Sequence, residues 1–486
     1  MKSPVPATPA TLLAALLLTG CATVGPDYAA PELVTPATWR GAAAAKIAIA
    51  PTAPADLATW WRQLDDPTLI GLVEQALQTS LDLRAAQAKL REARARRALA
   101  GAELFPTVSG SADGRRVKAS GEAGGGGTAN RFSAGFDASW ELDVFGGVRR
   151  GVEAAQASLE ASQASLHDTQ VSLAAEVALN YVELRAYQAA LAIARANAAS
   201  QAETLQLTQW RAQAGLTTAL DVEQARTNLE QTKAQIPSLE TNRAEAEHRL
   251  DILLGQQPGA LAQRLTQPGG GIPRIPARVT VGIPADALRQ RPDVQVAERT
   301  LAAETARIGV VEAQAYPNFS LSGSLSLEAL TLGALSSGNA VAGSVLGSVA
   351  APIFDAGRIR QQVNIQTAVQ EQALIHYAST VLNALAEVEN ALVALANTRQ
   401  RQDNLREAVQ AARLAARLAR HRYSAGLSDF QTVLDTERTV LTVEDKLVLS
   451  EADGVKTLIQ LYKALGGGWS PEPANPIAAH AQGASS

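Results

Sequence analysis

Phe132-Ser133-Ala134-Gly135-Phe136-Asp137-Ala138-Ser139-Trp140-Glu141-Leu142-Asp143-Val144 alternates apolar side chains with Ser, Gly, Asp and Glu at every step. A period of two over this length is the pattern of a β-strand with one apolar and one polar face. The alternation returns downstream, where Phe319, Leu321, Gly323, Leu325 and Leu327 interleave with Ser320, Ser322, Ser324, Ser326 and Glu328. Val108 to Gly114 and Val341 to Phe354 read as hairpin partners. The loops between them, Gly124-Gly125-Gly126-Gly127 and Ser336-Ser337-Gly338-Asn339, read as flexible. On periodicity alone such a sheet would pack on a soluble core, but the chain offers no separate apolar element to cover it. The strands approach the roughly 9–11 residues that cross a bilayer. Phe105, Phe132, Trp140, Phe145, Tyr316 and Phe354 stand near their ends, as interfacial aromatics do. Four strands cannot close a barrel by themselves, and an open edge is not tolerated in lipid, so the sheet demands closure by oligomerisation.

Outward from the strands, the chain repeats itself. Leu81-Asp82-Leu83 and Pro292-Asp293-Val294, Phe105-Pro106 and Tyr316-Pro317, Ala214-Gly215-Leu216 and Ala425-Gly426-Leu427, and Leu254-Gly255 and Leu465-Gly466 share one offset of 211 positions. Four landmarks in one register mean a tandem duplication. The expected organisation is an export signal over 1–20, a Pro/Ala-rich tether over 21–58, a first repeat over 59–255, a linker over 256–284, a second repeat over 285–466 and a flexible tail over 467–486. Each repeat reads as helix, hairpin, long helix, tight turn, helix. Arg149 to Gln213 and Arg358 to Tyr423 contain no Pro and are rich in good helix formers, which predicts two rods of roughly 90 Å each. Gly215 and Gly426 supply left-handed caps at their ends. The returning helices are expected over Thr218 to Leu254 and Asp429 to Leu465, with Pro237 kinking or bending the first.

At the N-terminus, Leu12-Leu13-Ala14-Ala15-Leu16-Leu17-Leu18 precedes Thr19-Gly20-Cys21, the order of an export signal with small residues before its cleavage point. This run is too short to span a bilayer, and no other approaches the ~20 residues a transmembrane helix needs. Leu18-Thr19-Gly20-Cys21 resembles a bacterial lipoprotein signal, in which Cys21 is lipidated and becomes the mature N-terminus. Ala22 after it, in place of an acid, points by that resemblance to the outer membrane. The 486 residues carry 43 Lys+Arg against 47 Asp+Glu, a balance that excludes nucleic-acid binding through a strong basic field. One Cys excludes an intrachain disulfide and any zinc site with more than one thiolate. His167, His248, His376, His421 and His480 show no metal spacing, no phosphate loop is present and no nucleophile has a signalled base. No metal, cofactor or enzymatic activity is expected.

Gly20-Cys21 with Gly25-Pro26-Asp27-Tyr28, Trp60-Trp61, Leu142-Asp143-Val144-Phe145-Gly146, Arg291-Pro292-Asp293-Val294, Tyr316-Pro317, Ile353-Phe354-Asp355-Ala356-Gly357-Arg358 and Arg422-Tyr423 before Ala425-Gly426 carry a family resemblance. The chain resembles the TolC-type outer-membrane efflux proteins, in the lipoprotein branch that serves multidrug efflux pumps. The resemblance runs from Cys21 to about Gly466. It implies an α+β membrane protein whose tandem-duplicated protomer has four transmembrane strands and long coiled helices. Three copies would close a 12-stranded β-barrel joined to a periplasmic α-helical barrel. It also implies a homotrimer in outer-membrane lipid, a periplasmic adaptor (membrane fusion) protein, and an inner-membrane efflux transporter of the RND type. The function so implied is a passive exit duct for drugs or other small toxic compounds.

By the same resemblance, acidic residues just after the second turn narrow the periplasmic aperture. Asp435 is the first candidate, with Asp429 and Asp221 behind it; the alternative is that Asp429 is a helix cap and Asp435 a solvated side chain. Arg211, Gly215 and Leu216 in the first turn, and Arg422, Gly426 and Leu427 in the second, correspond to the family's adaptor contacts. Simple helix capping explains the glycines equally well, and the two arginines could donate either to terminal carbonyls or to a partner. Competing readings are an exit duct of a type I protein-secretion or metal-efflux system, and a periplasmic adaptor lipoprotein. The duplicated alternating hairpin argues against the last.

Overall fold

The computed structural model describes residues 23–32, 35–44, 48–49, 54–120, 122, 127–266, 271–276, 279–282 and 284–470. Cys21, the export segment, Gly124 to Gly126 and the tail from 471 lie outside them. The two repeats lay down the same elements. In the first, α1 (Pro67–Thr79) and α2 (Leu81–Ala102) lead to β1 (Thr107–Lys118), β2 (Thr128–Leu142), α3 (Gly147–Gln213) and α4 (Ala219–Leu253). In the second, α5 (Pro292–Ala313) is followed by β3 (Asn318–Ala329), β4 (Val341–Ala350), α6 (Arg358–Ser424) and α7 (Phe430–Ala464). Helices α3 and α6 have 67 residues each, and α4 and α7 have 35 each, so the duplication is kept to the residue in its longest elements.

The four strands form one antiparallel sheet in the order β1-β2-β3-β4, the two hairpins meeting along β2 and β3. The register keeps the faces apart: Phe136 stands opposite Leu325 and Gly110, and Trp140 opposite Leu321. On the other face Asp137 stands opposite Ser324 and Ser109, and Ser324 opposite Ser344. Among the described residues nothing pairs the outer edges of β1 and β4, and Val108, Phe136, Leu325, Val345 and Val349 are exposed. No described helix is long and apolar enough to cross a membrane.

The chain divides into two compact units, each drawn from both repeats. One holds the sheet, with residues through Glu32, Lys89–Gln163 and Val296–Ser379. The other, with Ala164–Gln295 and Thr380 onward, has its core around Trp60, which stacks on Tyr462 at 5.4 Å and packs with Leu69, Leu72, Leu250 and Leu458. Along α6, Val381, Val388, Leu395, Gln402, Val409, Ala416 and Tyr423 are buried at every seventh position. Ala157, Ala164, Val171 and Ala178 follow the same interval on α3. A seven-residue spacing is the seam of a left-handed coiled coil, and small residues in it let helices approach closely.

Several expectations need correction. The β3–β4 connection is not a slack loop: Leu332–Ser336 and Gly338–Ala340 form short 3₁₀ turns, because the Ser336 and Ser337 hydroxyls donate back to the carbonyls of Gly333 and Ala334. Helix α4 stays continuous through Pro237, as a helix bent at Pro does; Pro237 lies on its exposed face, where water can satisfy the carbonyl deprived of a donor. Strand β4 ends at Ala350, ahead of Pro352, which has no amide to donate to a ladder. The supposed tether is fastened at Trp39, whose indole donates to Gly282 O at 2.8 Å, and at Arg40 and Gly41, whose amides donate to Glu389. The first residues of the expected tail are also held. Trp469 stacks on His167 at 4.4 Å and donates to Gln290 O, and the Gly468 amide donates to Leu57 O.

Candidate functional site

The helical turns repeat one hydrogen-bond pattern. In the first, Gly215 N donates to Ala212 O at 3.0 Å and Leu216 N to Arg211 O at 2.8 Å. In the second, Gly426 N donates to Tyr423 O at 3.0 Å and Leu427 N to Arg422 O at 2.8 Å. This pair of bonds is a Schellman motif; it needs a left-handed residue, and Gly215 (φ 72°) and Gly426 (φ 76°) supply it. The next residues start the returning helices with exchanged chemistry. Thr218 caps α4 with Asp221 three residues on, whereas Asp429 caps α7 with Thr432 three residues on. Position 429 is 211 beyond 218, and 432 is 211 beyond 221, so the duplication kept a capping pair at these positions and swapped its members, with the full reciprocal box at Thr218 and Asp221.

Each expected acid therefore has a definite place. Asp221 accepts from Thr217 and from the amide and hydroxyl of Thr218. Partial burial pushes its carboxyl up, but those hydrogen bonds outweigh it and hold it below the ordinary value. Asp429 accepts from the hydroxyl and amide of Thr432, which lower its pKa. Both are engaged as caps. Asp435 is exposed on α7, and its carboxylate accepts from Gln431 Nε2 at 3.0 Å. Arg211 reaches the other hairpin. Its Nη1 donates to Tyr423 O at 2.9 Å and Ser424 O at 3.3 Å, and its guanidinium lies 4.6 Å from the Tyr423 ring centroid. Arg422 makes a long 3.5 Å contact to Leu427 O within its own turn. Leu216, Leu220 and Leu427 are exposed, as is Trp210. Beneath the turns Ala225, Ala419, Tyr423, Phe430, Val433 and Leu434 form a small core.

Sequence reading missed a buried polar seam behind the turns. Glu437 on α7, its side chain 6% exposed, accepts from Thr204 on α3 at 2.6 Å, with Arg420 of α6 at 3.9 Å; its Oε2 has no partner. Burial raises its pKa. One heptad along, Glu444 accepts from Asn197 at 3.0 Å and from Arg413 at 2.6 Å. The signal was present in the seven-residue interval between the two glutamates on one helix face, matched by Asn197 and Thr204 on α3. On the sheet, the polar face is a hydroxyl ladder: Ser320 with Ser348 at 2.7 Å, Ser324 with Ser344 at 2.8 Å and Thr107 with Ser139 at 2.9 Å. Among the described residues no His/Cys/Asp/Glu group could hold a metal ion.

The comparisons with known proteins agree with this architecture. The model of the outer membrane efflux protein family matches residues 72–256 and again 283–467. The second match begins and ends 211 residues beyond the first, the offset read from the landmarks. Nodulation protein T of Rhizobium leguminosarum bv. trifolii is 33% identical over 460 residues, covering 94% of this chain and 96% of that protein. The pyoverdine export outer membrane protein OpmQ of Pseudomonas aeruginosa is 32% identical, covering 95% and 97% respectively. Among solved structures, the outer-membrane channel OprN superposes with a TM-score of 0.87 at 37% identity, over 92% of this chain and all of that one. The chain belongs to the outer membrane efflux protein family and is an outer-membrane efflux channel, its duplicated protomer supplying four transmembrane strands and paired coiled helices.

Proposed function

We propose that three copies of this chain assemble as the outer-membrane duct of a tripartite pump and conduct small toxic compounds passively to the exterior. The observation that carries this reading is the sheet: one apolar and one polar face and, among the described residues, both edges unpaired and four strands where a closed barrel needs more. Edge β4 of one copy pairs with edge β1 of the next until the ring closes. The hydroxyl ladder then faces a wet, weakly selective lumen, and no residue performs chemistry on the cargo. Each long helical hairpin extends into the periplasm. The turns at Gly215 and Gly426, with exposed Leu216 and Leu427, receive a periplasmic adaptor that links the duct to an inner-membrane transporter of the RND type. Asp435, the acid not engaged in capping, lines the aperture with its two symmetry mates. Cys21, acylated after removal of residues 1–20, adds a lipid anchor; multiple acyl chains hold stably where one does not.

The test is single-channel conductance of the detergent-purified mature protein in a planar bilayer, with its mass determined in parallel. Discrete conductance steps from a three-chain species support the duct; a folded monomer without conductance removes it.

A further inference from the structure

Residues Thr23 to Tyr28, immediately after the lipidation motif, occupy a seat built for them in the sheet-bearing unit. Val24 N donates to Phe145 O at 3.0 Å. Arg150, on the first turn of α3 and only 5% exposed, donates through Nε to Val24 O at 3.0 Å, and through Nη2 to Gly25 O at 3.1 Å and Asp27 Oδ1 at 2.7 Å. A guanidinium buried to that degree needs carboxylate partners; this one has Asp27 from the strap and, through Nη1, Glu153 on its own helix, and gives its remaining donors to two strap carbonyls. Gly25 has φ 90°, and a Cβ there would meet the Gly309 Cα at 2.4 Å; a Cβ on Gly309 would meet Val24 O at 2.7 Å. The strap backbone thus lies directly on α5, and both glycines are needed for the approach. Tyr28 closes the strap, donating to Glu298 at 3.1 Å and packing on Ala157, Ala302 and Ala303.

We propose that Arg150 and the Gly25–Gly309 contact are a positioning device that fixes the mature N-terminus beside the periplasmic rim of the sheet, so that its acyl chains enter the membrane next to the barrel wall. Phe145, whose carbonyl receives the strap, stacks on Tyr316 at 4.7 Å between the ends of β2 and β3, where interfacial aromatics belong. Cys21 precedes Thr23 by two residues, and two residues span at most ~7 Å. The acylated residue is thereby confined to the headgroup level, and the anchor acts as a local staple and not a slack leash. The seat stands on the geometry alone; its consequence for the lipid rests on the proposed acylation of Cys21.

The experiment compares wild-type full-length protein, Arg150→Met, Gly309→Ala and Cys21→Ser in membranes. It follows fatty-acid labelling, protease cleavage ahead of residue 29, and the heat-resistant oligomer. Arg150→Met removes the guanidinium, and Gly309→Ala puts a Cβ against both Val24 O and the Arg150 Cγ; both should keep wild-type labelling, while strap cleavage rises about tenfold or more and oligomer yield falls. Cys21→Ser should lose labelling and keep the strap protected. Protection of the strap in both seat variants overturns the proposal. An unlabelled wild type with a protected strap removes the acylation reading and leaves the seat standing.

Discussion

At the scale of single residues, the two helical turns combine a structural requirement with a proposed contact. Gly426 at φ 76° has no heavy atom within 4 Å of where a Cβ would lie, so space does not select glycine there; the backbone angle does. Gly426→Val should destabilise the turn by about 1–3 kcal/mol and abolish crosslinking to the adaptor. Gly426→Asn, which tolerates the left-handed region, should keep most of both. Crosslinking of the Val variant at the wild-type level would remove this turn from the docking surface. Asp435 makes an independent case. Three carboxylates within ~6–8 Å repel by under about 1 kcal/mol per pair in water, and such a ring attracts cations. Asp435→Ala should raise conductance or relieve cation block in planar bilayers, and an unchanged trace would dispose of the ring. Asp221 and Asp429 were legible as acids near a turn but not as members of one exchanged capping pair. That became visible only when the 211-residue offset was laid over their hydrogen bonds.

Whole elements were legible to different degrees for physical reasons. The strands announced themselves because Phe, Leu and Trp alternate with Ser, Asp and Glu, a contrast that survives without any partner. The long helices announced their extent through absent Pro but concealed their packing. Their seam positions are filled by Ala157, Ala164, Gln201, Thr204, Thr208 and Gln402, which differ too little from a solvated face to show as a stripe. The buried glutamates belong to that hidden seam, and Glu437 gives it a pH dependence. Burial raises its folded pKa above the ordinary value, so its contribution is fully present below the unfolded pKa and is lost as pH rises through the raised one. The wild-type oligomer should therefore lose melting temperature as the pH is raised from about 4 to 8 relative to Glu437→Gln. The two should converge at the acid end, and at neutral pH the variant should be more stable by about 1–3 kcal/mol, the usual cost of an incompletely bonded buried polar group. Parallel melting curves at every pH would show that Glu437 is satisfied in the assembly by a group from another copy.

For the molecule as a whole, the decisive property is that the protomer is unfinished. Its sheet presents an apolar face with Val345 and Leu325 exposed, which suits lipid, a hydroxyl-lined face with Ser344 and Ser324, which suits water, and two edges unpaired among the described residues; a single chain in one solvent cannot satisfy all of them. Val345 and Ser344 are neighbours on β4 and point to opposite faces, so the same side chain introduced at the two positions tests lipid face against lumen. Val345→Arg puts a charge into hydrocarbon near the middle of the strand, where it costs about 2–4 kcal/mol in each copy, and should prevent assembly in the membrane. Ser344→Arg puts three charges into the water-filled lumen and should leave assembly intact while shifting conductance toward anions. The measurement is native mass of the extracted protein for both variants, followed by ion selectivity of whichever assembles. If Val345→Arg assembles normally and Ser344→Arg does not, the faces are reversed: the Val345 face meets water and the Ser344 face is the buried one. The opposite result fixes which way the sheet curls and makes closure by three identical copies the way this chain satisfies its own edges.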